Sequence, residues 1–271
     1  MGVTLAIALV DLVIVAAFAL LAISLRALDR RGFLASFAVG YSIIVGGGPA
    51  WFLVVAVFFT LGVSFTWYKY EYKKRIGGAQ EKGGARSWPN ILANGGVASI
   101  FAVVELVRGG SIFGLLFLGC LSTAAADTVA TELGLLSRRA PRLIISPAQT
   151  VSPGTSGGVT VLGFFGAFLA SSVIGFLSYA TGVFPGGLLV IPVCLAGGVV
   201  GAVFDSVLGA TVQRKGFCTV CLRKTETLHH CGEATSKTGG ISFIENNVVN
   251  LLATLGGACG ALAVAFALGL A

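Results

Sequence analysis

Two short segments place carboxylates at the ends of apolar runs: Asp127-Thr128-Val129-Ala130-Thr131-Glu132 and Asp205-Ser206-Val207. Three further segments are rich in Gly, Asn and hydroxyl residues: Asn94-Gly95-Gly96-Val97, the run VSPGTSGGV from Val151 to Val159, and Asn246-Asn247 with Asn250 one turn on. Carboxylates in or beside an apolar span are costly and mark functional positions. Glycines at a helix start let a phosphate approach free N–H groups and the positive end of the helix dipole. Hard oxygen ligands beside such a cradle suit nucleotide phosphates bridged by Mg2+. The expected catalytic residues are therefore Asp127, Glu132 and Asp205. Asp127 and Asp205 would hold Mg2+, with Glu132 as a third ligand or a partner to those two. Nucleotide and phosphate binding is expected of Asn94, Gly95, Gly96, Ser152, Gly154, Thr155, Ser156, Gly157, Gly158, Asn246, Asn247 and Asn250. Lys73, Lys82 and Arg86 are candidates to neutralise phosphate charge. Packing of helices against one another is the competing explanation for the glycines.

A second chemistry is written in the cysteines. Cys218-x-x-Cys221 is followed by His229-His230-Cys231. Cys218, Cys221, Cys231 and one of the two histidines, His230 favoured over His229, make the donor set of tetrahedral Zn2+. Four protein ligands leave no open position, so the expected role is structural. A reducing cytosol argues against a disulfide there. Cys120, Cys194 and Cys259 lie inside apolar runs and read as small hydrophobes.

The elements that must position these groups are membrane spans. Of 271 residues 56% are hydrophobic and only 11% are charged, against roughly a quarter charged in a soluble domain. Mean hydropathy is +0.94. Apolar runs near 3–25, 33–48, 50–67, 91–107, 111–134, 157–181, 185–211 and 246–270 predict about eight helices, most long enough to cross ~30 Å of hydrocarbon. The 33–48 run is the shortest and is glycine-rich. The runs do not alternate, which excludes a membrane β-barrel. The N-terminal run lacks a basic flank and is too long for a signal peptide's apolar region, so it reads as the first helix.

Net charge is +7, yet the basic residues fall in loops of a membrane protein and do not point to nucleic acid. All but Arg108 of the 18 Lys and Arg residues lie in the loops after the first, third, fifth and seventh spans. The positive-inside rule makes that face cytosolic and puts both termini on the other side. The chain then reads as one integral membrane domain, 1–271, with a cytosolic Cys/His insertion at 212–245. Removing any one span would scatter the basic loops over both faces. Within the spans, Glu105 is expected to pair with Arg108 at i+3, while Asp11 has no evident partner.

The motifs echo one another. NGGV at 94–97 matches SGGV at 156–159, and DTV at 127–129 matches DSV at 205–207. Each pairing brackets a helical hairpin of the same orientation, which suggests a parallel repeat with Asp127 and Asp205 equivalent.

The set ANGGV (93–97), ADTVATELG (126–134), SPGTSGGVTVLG (152–163), FDSVLGATVQ (204–213) and NNVVN (246–250) resembles the family of transmembrane protein 19 and phytyl-phosphate kinase, once called domain of unknown function 92. The resemblance covers roughly residues 60–270, with several motifs in order, and the Cys/His loop looks like that of prokaryotic members. It implies an isoprenoid-phosphate kinase that uses a nucleoside triphosphate, CTP being favoured, on phytyl, geranylgeranyl or a related prenyl phosphate. The acceptor is already an anion and needs no strong base, so catalysis reduces to positioning and charge neutralisation. Two alternatives stand beside this reading: a CTP-dependent cytidylyltransferase acting on a lipid phosphate, and a transporter. A transporter site is expected near the midplane, whereas these carboxylates lie toward one face.

Overall fold

The structure, a computed structural model, describes residues 2–80, 82–110 and 112–271. Ten helices are described: α1 (Gly2–Ser24), α2 (Arg30–Gly47), α3 (Pro49–Trp67), the short α4 (Tyr70–Arg75), α5 (Trp88–Ile91), α6 (Val97–Arg108), α7 (Ile112–Gly134), α8 (Val161–Thr181), α9 (Val190–Thr211) and α10 (Asn246–Ala267). A π turn, Leu92–Gly96, joins α5 to α6, so Trp88–Arg108 is one continuous helix. Seven of the helical segments have the length and apolar character of a span. α2 has 18 residues, about 27 Å at 1.5 Å per residue. It falls short in hydropathy, in keeping with Arg30, Arg31 and its glycines. Its start is fixed by Asp29, whose carboxylate accepts from the N–H of Gly32 at 2.7 Å. The Asp29 N–H donates to the Arg86 carbonyl at 3.1 Å, so α2 begins on the face where the loop after α3 lies.

α7 is the central helix. Fourteen of its residues are buried, from Gly114 to Glu132, and it packs against α8, α9 and α10. Those contacts are close because the facing residues are small, the usual means of joining helices in lipid. A Cβ on Gly119 would stand 2.7 Å from Ala258 Cα, and one on Gly197 3.0 Å from Gly119 Cα. A Cβ on Gly257 would overlap Thr123 Oγ1 and come within 2.6 Å of the Gly197 carbonyl. The Thr123 hydroxyl crosses this seam to the Gly197 carbonyl at 3.0 Å. Gly257→Val therefore forces α10 off α7 and α9, and should lower stability by roughly 1–3 kcal/mol. Thermal unfolding in detergent, followed by gel filtration, would register this as a lower midpoint; an unchanged midpoint would contradict the packing.

Outside the helices the strands are short. Arg142–Leu143 (β1) lies between Ser146–Thr150 (β2) and Gly158–Val159 (β3) in one three-stranded sheet. The insertion before α10 carries Lys215–Cys218 (β4), paired with both Arg223–Thr225 (β5) and Ser236–Gly239 (β8). A two-residue ribbon, His229–His230 (β6) with Glu233–Ala234 (β7), completes it.

Three expectations are corrected by the local structure. Asn94-Gly95-Gly96 does not open a helix: the helix starts at Trp88, after Ser87 in extended conformation and with Pro89 in its first turn, where a missing N–H costs nothing. The VSPGTSGGV run does not open one either. α8 starts at Val161, capped by Thr160, whose hydroxyl accepts from Gly163 N at 2.9 Å, and the glycine run is the turn and strand before it. Glu105 and Arg108 do not pair; among the described residues the ion pairs are Lys73–Glu132 and Lys82–Asp29.

Candidate active site

Asp127 on α7 and Asp205 on α9 come together, their carboxyl groups within hydrogen-bonding reach. Two such groups cannot both keep their charge without a proton or a cation between them. Asn250, with its amide set by the partners around it, donates to Asp205 Oδ2 at 3.2 Å and to the Asn246 carbonyl at 3.0 Å. α10 does open at Asn246 and Asn247, and Asn250 is the member of that segment that reaches the pair.

A third acid, Glu226, joins from the Cys/His insertion, close enough for its charge to oppose that of Asp205. It accepts from the Ser156 hydroxyl and from Gln213 Nε2, the latter at 2.7 Å. Burial pushes its pKa up to about 7 against the pull of Ser156 and Lys215. Lys215 Nζ also closes the end of α9 on the Ala210 carbonyl at 2.9 Å. Ser156 is brought to this point by Gly157, whose φ of +76° and whose seat against Ala210 and the Ser206 carbonyl leave no room for a Cβ. Ser152, Gly154 and Thr155 stay on the exposed side of the turn.

Glu132 takes a different place. One oxygen lies 2.5 Å from Lys73 Nζ and the other accepts from the Thr66 hydroxyl at 2.9 Å. Lys73 is fully buried and also donates to the carbonyls of Phe65 at 2.6 Å and Thr66 at 3.0 Å. Thr66 Oγ1 in turn accepts from Arg86 at 2.8 Å. Arg86 feels the charges of both Glu132 and Asp127, which support its own against the cost of burial. Thus Glu132 is tied to Lys73 and Thr66 and steadies Arg86, whose charge also interacts with that of Asp127. Lys82 instead pairs with Asp29 at 2.9 Å in an exposed position.

Arg86 lines an apolar cleft. The cleft is open on one side and runs between α1, α2, α3 and the π turn. Val15, Phe18, Val39, Phe52, Val55, Phe58 and Phe59 make its walls, and Ser36, Arg86, Asn90, Asn94 and Thr128 its polar positions. Asn94 is buried, with Nδ2 on the Asn90 carbonyl at 2.9 Å, and Gly95 faces Val39. Asn94 and Gly95 are therefore in the cleft wall, beside Asp127's neighbour Thr128; Gly158 lies in β3, packed on Thr155 and Pro141, and Gly96 in the π turn.

At the tip of the insertion, one donor atom each from Cys218, Cys221, His230 and Cys231 lies within 4.8 Å of the other three. His230 Nδ1 is 3.5 Å from Cys221 Sγ and 3.3 Å from Cys231 Sγ. The backbone N–H of Cys221, with that of Val220, pulls the Cys218 thiol down to about 6.

Sequence reasoning missed Glu226, Gln213, Thr66 and Asn90. Gln213 sits at the end of the FDSVLGATVQ motif and could have been found there. Glu226 had no local signal, since only the fold of the insertion brings it to Asp205.

The family model described as "Integral membrane protein DUF92" matches residues 13–258. The chain belongs to the DUF92 family. Among DUF92 relatives, "Protein PGR" of Arabidopsis thaliana is 31% identical over 253 residues, covering 85% of this chain and 86% of that one. "Uncharacterized membrane protein MJ0933" of Methanocaldococcus jannaschii is 31% identical over 208 residues, 76% of this chain and 84% of its own. "Protein VTE6, chloroplastic" of Arabidopsis thaliana is 28% identical over 195 residues, 69% of this chain and 57% of its own length. No solved structure matches. DUF92 membership and the seven apolar helices make this a multi-pass integral membrane protein.

Proposed function

We propose that this DUF92 protein is a membrane-embedded kinase that transfers the γ-phosphoryl group of a nucleoside triphosphate to an isoprenoid monophosphate. The observation that carries the reading is the cleft: its walls are apolar, Arg86 lines it, and Asp127 is near enough for its charge to support that of Arg86. An amphiphile with a long apolar tail and an anionic head fits that pattern of lining. The tail would lie against Phe18, Phe52, Phe58 and Phe59, with its phosphate at Arg86, Asn90 and Asn94. The resemblance to phytyl-phosphate kinases supports a prenyl tail and CTP as donor.

In this reading the basic loops face the cytosol, where nucleotides are available. Asp127 and Asp205 offer the hard oxygen ligands that Mg2+ takes, and a bound Mg2+ would offset charge on the nucleotide phosphates. Ser156, Asn246, Asn247 and Asn250 orient the donor, with the exposed turn of Ser152, Gly154 and Thr155 as the outer edge of its phosphate site. Arg86 holds the acceptor so that its phosphate oxygen meets the γ-phosphorus, forming one P–O bond as the bond to the nucleoside diphosphate breaks. No base is needed, since the acceptor oxygen arrives as an anion.

The test uses purified protein in nanodiscs with a prenyl monophosphate and CTP labelled at either the α or the γ position. Label passing to lipid from the γ position only, with CDP as co-product, supports the kinase. Label from the α position with release of pyrophosphate means a cytidylyltransferase. With transfer established, Arg86→Gln should raise KM for the lipid phosphate about 10- to 100-fold, the value of one or two charge-assisted hydrogen bonds, with a smaller change in KM for the nucleotide.

A further inference from the structure

The insertion between α9 and α10 is a poor scaffold without help. Its strands β4 to β8 have two to four residues each, below what a sheet needs to stand alone in water. Yet it delivers Glu226 to one defined place, against Ser156 and Gln213 and near Asp205. Its root is anchored by the buried Arg214, whose guanidinium donates to the Thr227 carbonyl at 2.7 Å and to Thr235 Oγ1 at 2.9 Å. At its tip, Leu222 and Cys231 hold left-handed backbone, φ 57° and 53°, a conformation that side chains adopt only when their surroundings enforce it. These two residues flank Cys221 and His230.

The four donors at the tip fit Zn2+. They include three thiols and one imidazole, mutually within 4.8 Å, and ligands at Zn–S of about 2.3 Å and Zn–N of about 2.0 Å stand some 3.5–4 Å apart around a tetrahedral ion. Glu226 lies between Cys221 and His230 in the chain, so a metal closing that loop fixes both of its ends. We propose that Cys218, Cys221, His230 and Cys231 bind one Zn2+, and that this ion positions Glu226 as a third acidic group at the Asp127–Asp205 pair. Zinc occupancy then governs the affinity of the carboxylate site for a divalent cation. The second half of the proposal rests on the cation-binding part of the function proposed above, and on nothing about the lipid.

The experiment measures zinc and cation binding separately, on the full-length protein in detergent or nanodiscs. Elemental analysis should give one zinc per chain, lost in Cys221→Ser and kept in Glu226→Gln. Mn2+ binding to the carboxylate site, followed by electron paramagnetic resonance without substrate, should weaken about 10- to 100-fold in Glu226→Gln, the usual cost of removing a supporting group. Stripping zinc with a chelator and then removing the chelator should weaken Mn2+ by a similar factor in the wild type, and restoring Zn2+ should recover it. In Glu226→Gln the same stripping should change little more. A protein without zinc, or a zinc-stripped wild type that binds Mn2+ as before, overturns the proposal. Mn2+ binding that follows zinc in a protein with no kinase activity would sink the kinase reading and leave this one standing. No Mn2+ binding in any form overturns the coupling and, with it, the cation site.

Discussion

Asp205→Asn is expected to lower turnover of a prenyl phosphate by about three orders of magnitude while leaving the protein folded. The exchange keeps the shape of the side chain and its capacity to meet Asn250, and it removes the charge that a divalent cation requires. A cation on a transferring phosphoryl group supplies several kcal/mol to the transition state, and about 4 kcal/mol is a thousandfold in rate. Asp127→Asn should behave alike, since the two carboxyl groups meet across α7 and α9. Stability separates this loss from misfolding. Without divalent cation, either Asn variant should unfold at or above the wild-type temperature, because one of two mutually repelling acids is gone. Adding Mg2+ with nucleotide should then stabilise the wild type and leave the variants unmoved. Turnover within a few-fold of wild type in both variants would remove Asp127 and Asp205 from the site.

The helices and the acid pair could be read from the residues, and the reasons are physical. Long apolar runs have few ways to exist, and an Asp near the end of such a run is too costly to be incidental. The starts of helices were harder. Asn94-Gly95-Gly96 looks like a helix opening because glycine is common at breaks, yet Ser87 and Pro89 open the helix earlier and the glycines become a π turn against Val39. The signal was present in Ser-Trp-Pro and was outweighed by a motif that echoed another. Glu132 shows a different limit. Its position five residues after Asp127 suggested a shared site, whereas its partner is Lys73, which belongs to a short helix 59 residues away in sequence. Nothing in the spacing of either motif encodes that meeting. The same holds for Glu226, which reaches Asp205 only because the insertion folds back over the end of α9. The clustering at the tip of that insertion was legible, because Cys-x-x-Cys and His-Cys are short-range spacings that one loop can fold together: the structure gathers His230 and not His229 with the three cysteines.

Lys73→Met is the substitution with the largest expected effect on stability. Lys73 and Glu132 are both almost wholly buried, and each is held by further hydrogen bonds, from Lys73 to two carbonyls and from Thr66 to Glu132. Removing one partner strands the other charge, which costs about 3–5 kcal/mol. In a chain of this size that is a fall in Tm on the order of 10 °C. Glu132→Gln should cost less, since the amide oxygen can still accept from Lys73 while its NH2 donates to Thr66 Oγ1, whose hydroxyl turns to the Gly62 carbonyl. The double change Lys73→Met with Glu132→Leu removes both charges and should recover much of the loss, because a buried ion pair and an apolar pair of similar volume differ little in stability. The recovery should stop at stability. Thr66 would no longer be held by Glu132, and Arg86, which donates to Thr66 at 2.8 Å, would lose its fixed position. A double variant as stable as the wild type should therefore still show a raised KM for the lipid phosphate. If it regains wild-type KM together with stability, the Glu132–Thr66–Arg86 chain has no part in holding the acceptor, and Glu132 serves only to neutralise Lys73.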